Sequence, residues 1–144
     1  MTTAPDWFAD GQLSLARQRM EQAYAVLARL QDEIPPGLAA DRLQAAHEEA
    51  YSAERVLCER FMELLEGMSL HDRVIDYFRY IVPAGKFRAV RHIEEDLRLP
   101  YKTLGNLLNQ MSAGEDSELV TAPGPYTGKL EAHRPVYKCY ALRA

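Results

Sequence analysis

The chain has 144 residues, 47% of them apolar, and a formal charge of −4 at neutral pH. That length holds one ordinary domain or a small domain with a helical appendage, and the composition excludes wholesale disorder. No apolar run reaches membrane-spanning length, the start MTTAPDW lacks a secretion signal, and Cys58 and Cys139 form neither a disulfide framework nor a paired metal motif, so the expectation is a cytoplasmic protein with reduced thiols.

Trp7 and Phe8 precede the first helix, where aromatic residues staple a terminus onto a core. Leu13, Ala16, Met20, Ala23, Leu27, Leu30 and Ile34 then advance in three- and four-residue steps, the spacing of a coiled-coil seam. Pro35-Pro36-Gly37 must end this helix, because proline removes a donor and restricts the residue before it. A second helical run shows Leu43, Ala46, Ala50, Ala53, Leu57, Phe61 and Leu64 on one face. Glu48, Glu49, Glu54, Glu59, Glu63 and Glu66 fall mostly elsewhere and read as a solvated face. The short connection makes the pair an antiparallel hairpin, which buries little alone and needs a cover, either a second copy or the rest of the chain. A heptad seam on an extended hairpin favours the second copy.

Gly67 is a helix stop, and Ser69 to Asp72 has the spacing of a capping box, which sets the expected boundary between modules 1–68 and 69–144. The two differ in charge. The first carries 6 Arg against 12 Asp and Glu (−6), the second 11 Lys and Arg against 9 Asp and Glu (+2). Leu70, Val74, Tyr77, Phe78 and Ile81 form the buried line of a third helix, closed by Pro83-Ala84-Gly85.

In the segment from Val90 to Met111, Ile93, Leu97, Leu99, Leu104, Leu108 and Met111 follow helical spacing on either side of Leu99-Pro100, the pattern of a helix-turn-helix. Tyr101, Lys102, Thr103, Asn106, Asn109 and Gln110 face away from them. Amides and hydroxyls of this kind hydrogen-bond base edges, and no carboxylate between Leu97 and Gly114 repels phosphate. The bland reading of the same residues is a solvated helix face. Leu119 to Ala122 and Val136 to Leu142 read as strands around a loop from Pro123 to Gly128. The expected class is therefore mainly α with a small β-hairpin.

This order, from Leu70 to Leu142, resembles the winged helix-turn-helix superfamily, whose recognition-helix pattern is met by Leu99, Thr103, Leu104, Leu108 and Met111 and whose last wing strand is similar to Tyr140-Ala-Leu142. Arg98 replaces the small residue expected in the turn, and the wing connection from Pro123 to Pro135 is longer than a tight hairpin. The resemblance implies a DNA-binding transcriptional regulator, made a homodimer by the N-terminal hairpin and needing no cofactor, with Tyr101, Lys102, Thr103, Asn106, Asn109 and Gln110 toward a major groove. Lys86, Arg88 and Arg91 before it, and Lys129, His133 and Arg134 in the wing, would clamp phosphates. Glu94, Glu95 and Asp96 must then lie away from the duplex.

His47, His71, His92 and His133 lack metal-ligand spacing, and the chain shows no Ser-His-Asp order, phosphate-binding glycine loop or Cys-x-x-Cys motif, so neither an enzyme nor a metal site is expected. The rival reading is an assembly adaptor whose winged helix binds another protein, since the fold supports both uses.

Overall fold

The computed structural model describes residues 4–33, 40–83, 86–124 and 137–143. Two units result, Met1–Glu66 and Gly67–Ala144. Among the described residues no helix is long and apolar enough to cross a membrane.

The first unit is a helical hairpin, α1 (Gly11–Glu33) packed along α2 (Ala40–Leu64), preceded by a 3-10 turn at Asp6–Ala9. Asp10 caps α1: its Oδ2 accepts from the Leu13 N–H at 3.0 Å. The same carboxylate receives a fork from Arg60 of α2, Nη2 to Oδ1 at 2.8 Å and Nε to Oδ2 at 2.9 Å. These bonds from Arg60 and from the Leu13 amide hold Asp10 at a pKa of about 2, and Asp10 and Glu63 together raise that of Arg60. Trp7 stands edge-on to Phe61 with centroids 5.4 Å apart, and the Arg17 guanidinium lies 4.4 Å above Phe8, so the aromatic pair does staple the terminus.

Leu13, Ala16, Met20 and Leu27 of the expected α1 seam are buried, with Ala23 and Leu30 half-buried; Ile34 and the Pro35-Pro36-Gly37 stop lie outside the described residues. Along α2 and one residue past its end the buried line runs Ala50, Glu54, Leu57, Cys58, Phe61 and Leu65, while Ala46, Ala53 and Leu64 sit at its margin. Glu54 is therefore no part of a solvated face. It is fully buried and accepts a hydrogen bond from the Tyr24 hydroxyl at 3.0 Å, joining the two helices.

In the second unit the Ser69 hydroxyl accepts from the Asp72 N–H at 3.1 Å and starts α3 (Leu70–Asp76), after Gly67 has turned the chain at φ +98°. The helix continues as a wider π turn at Tyr77–Ile81, where Val82 N–H donates to Tyr77 O at 3.0 Å. Tyr77, Phe78 and Ile81 are all buried there. The chain then makes β1 (Arg88–Ala89), α4 (Val90–Leu97), α5 (Tyr101–Met111), β2 (Leu119–Gly124) and β3 (Tyr137–Leu142). Ile93, Leu97, Leu104, Leu108, Met111, Leu119 and Tyr140 complete the core with α3.

The strands form a three-stranded antiparallel sheet in the order β1-β3-β2, so the expected β-hairpin is a hairpin with one strand added. Arg88 pairs with Tyr140 and Ala89 with Cys139; Leu119 pairs with Leu142 and Gly124 with Tyr137. Two residues are too few to show an alternating pattern, which hid β1. β2 also runs two residues past Ala122, through Pro123, which an edge strand tolerates.

Candidate nucleic-acid interface

The geometry of α5 is set by the three residues before it. α4 ends when the Arg98 N–H donates to Glu94 O at 2.8 Å, and Arg98 itself takes φ 52°, ψ 42°. This left-handed conformation costs a side-chain-bearing residue about 1–2 kcal/mol and is where a glycine is usual. Pro100 then fixes an extended entry, φ −59° and ψ 138°, and its carbonyl accepts the first bond of α5, from the Leu104 N–H at 3.0 Å. The turn that lacks the expected small residue is thus built on Arg98 in a glycine-like conformation.

Leu104, Leu108 and Met111 turn α5 inward. All six predicted polar positions, Tyr101, Lys102, Thr103, Asn106, Asn109 and Gln110, are exposed, Tyr101 at 64%. Lys102, Asn106, Asn109 and Gln110 stand three and four residues apart along one side of the helix, with Tyr101 and Thr103 flanking them. No side chain caps the N-terminus of α5 and no acidic residue occupies its first turn, so its free N–H groups and positive dipole end favour an anion.

Asn109 differs from the other five. Its Oδ1 accepts from the Tyr140 hydroxyl at 3.1 Å, which ties the outer face of α5 to the central strand. Tyr140 is buried, and burial raises its pKa, so the donor stays protonated. Lys138, two residues before it on β3, holds its ammonium 5.9 Å from the Tyr140 ring and is exposed. Sequence reasoning missed both residues. The alternation of Tyr137, Lys138, Cys139 and Tyr140 marks them as a strand, but nothing in it shows that Tyr140 reaches α5.

The three acids of α4 have separate fates. Asp96 is buried and accepts from the Tyr77 hydroxyl at 2.7 Å, with His92 Nε2 3.4 Å from the same oxygen. Glu94 is half-buried, and exposed Glu95 lies 3.9 Å from the Arg91 Nε. Arg91 therefore carries a charge partly matched by its own helix. Lys86 is exposed, whereas Arg88, on β1, is buried at 8% exposure and is not the surface phosphate clamp expected of it. Lys129, His133 and Arg134 lie outside the described residues. Beyond α5, exposed Glu115 and Asp116 place negative charge past its C-terminus, and Glu118 is met by His71 Nε2 at 2.6 Å.

The described surface on and beside α5 thus combines hydrogen-bonding groups of both senses, the cations Lys102 and Lys138, and an uncapped helix end, with exposed Lys86 preceding β1. Cys58 is buried and Cys139 half-buried, neither in a disulfide, and burial raises the pKa of Cys139, which disfavours its thiolate. No family model, no curated protein and no solved structure matches this chain.

Proposed function

We propose that this chain is a sequence-specific DNA-binding transcriptional regulator of the cytoplasm, a homodimer whose second unit acts as a winged helix-turn-helix. The observation that carries the reading is the outer face of α5: six exposed polar and aromatic side chains without a carboxylate, over a fully apolar inner face. The order of α3, β1, α4, α5, β2 and β3, with β3 central, supports the winged-helix assignment.

In this reading α5 lies in the major groove. Asn106 and Gln110 suit adenine, Lys102 meets a guanine or a phosphate, and the α5 N-terminus receives a backbone phosphate. Lys86, Arg91 and Lys138 add phosphate contacts, joined by Lys129, His133 and Arg134 of the wing. Two copies would read half-sites about 34–36 Å apart, one turn of the duplex.

Selection from a randomised duplex pool at low salt tests the proposal. A pseudo-palindromic sequence is expected to emerge, bound at least about a thousandfold more tightly than random duplex. Failure of the folded protein to enrich any sequence would replace this reading with the protein-binding adaptor, which the exposed Phe87 and Tyr101 favour as a second reading.

A further inference from the structure

Between α1 and α2, bordering the buried Leu13-Met20-Leu27 line and sharing Ala16 with that seam, lies an open groove of about 520 Å³. It runs from Ala16 to Val26 on α1 and from Ala46 to Val56 on α2. The floor is low because alanines line it, and large apolar side chains stand up around it: Val26 is 41% exposed, Val56 53%, and Leu15, on the same side of α1 by its spacing to Arg19, 50%.

The groove repeats itself at an interval of 30 residues. Ala16 and Ala23 of α1 correspond to Ala46 and Ala53 of α2, Gln22 corresponds to Ser52, and Val26 to Val56. The one pair that changes character is Arg19 with Glu49, where a cation answers an anion. Both are exposed, and among the described residues neither forms an ion pair. Since the helices run antiparallel, Val26 stands at the same end as Ala46 and Val56 at the same end as Ala16.

We infer that the occupant of this groove is a second copy of the same chain, laid face to face about a two-fold axis along the groove so that each α1 covers the partner's α2. In that arrangement the valines of one copy drop onto alanines of the other, large into small at both ends. Arg19 comes within one helical turn of the partner's Glu49, twice per dimer by symmetry. Turning the partner end for end would instead set α1 on α1 and bring the two Arg19 side chains within a turn of each other, so charge selects the first arrangement. The result is a four-helix bundle. This inference deepens the homodimer part of the proposed function by naming its face and register.

Sedimentation equilibrium of the full-length chain tests it without DNA. The wild type is expected at twice the 16.4 kDa chain mass. R19E alone places two like-charged acidic pairs across the axis and E49R alone two basic pairs, and each is expected to weaken self-association by at least about tenfold. An equimolar mixture of R19E and E49R restores opposite charges at both contacts and is expected to recover the dimer. A monomeric wild type, single variants that dimerise like the wild type, or a mixture that stays dissociated would each overturn the inference. Selection of a DNA sequence by the wild type reads the DNA proposal separately, so failure of one leaves the other standing.

Discussion

At the scale of single residues, the polar groups that matter to this fold are held by particular partners. Asp10 serves two purposes at once, capping α1 and anchoring Arg60, and with a pKa near 2 against the usual 3.8 it stabilises the fold above pH 4 and loses that effect as pH falls through 2. His71 has the opposite sign. Its bond to Glu118, the largest cause, raises its pKa above 6.5, so the stabilisation is fully present below pH 6.5 and fades as pH rises through the folded-state value. The pair is about half-exposed and so is worth only about 0.2–1 kcal/mol. Denaturant titrations at pH 6 and pH 8.5 are expected to show the wild type losing a few tenths of a kcal/mol or more, and His71→Asn losing less. An unchanged pH dependence in the variant would remove His71 from the account. Buried Glu54 and Asp96 instead depend on tyrosine hydroxyls, at 3.0 Å from Tyr24 and 2.7 Å from Tyr77.

At the scale of elements, the joint between α4 and α5 decides where the candidate face points. Arg98 sits at φ 52°, so replacements of different backbone preference test the cost of that conformation. Arg98→Gly is expected to be neutral or stabilising by up to about 1 kcal/mol, whereas Arg98→Val is expected to cost about 1–2 kcal/mol, since a β-branched residue is the worst fit to this region. Thermal midpoints of the two variants read the difference directly, and equal midpoints would contradict it. The departure at Arg98 was visible in the sequence, because a turn between these apolar runs needs a residue with positive φ and only Arg98 precedes Leu99-Pro100. The five helices and two longer strands were legible for a related reason: each spans enough residues for its apolar period to show, and Ser69 and Gly67 mark ends by their chemistry. What stayed hidden depends on contacts distant in sequence. β1 exists only by pairing with β3, Arg88 is buried by its place in the sheet, and Glu54 is drawn inward by a tyrosine 30 residues away. The exposure of all six α5 positions followed from helical spacing alone, but the tie from Tyr140 to Asn109 did not.

For the whole molecule, the first half is acidic and the second mildly basic. An overall −4 disfavours unspecific adhesion to DNA, so under the proposed function affinity would come from the local cations and specificity from the α5 side chains. Because Asn109 is engaged by Tyr140, Asn106 and Gln110 are the cleaner pair on which to separate the two. The most direct measurement is the affinity of the wild type and of the double variant Asn106→Ala, Gln110→Ala for the selected duplex and for a scrambled one, over a range of salt. If α5 reads bases, the double variant loses roughly ten- to a hundredfold or more on the selected duplex, at about 1–3 kcal/mol per bidentate contact, and changes little on the scrambled one. Its salt slope is expected to match the wild type, because no phosphate contact has been removed. Equal losses on both duplexes, or no loss on either, would contradict the assignment of this face to DNA.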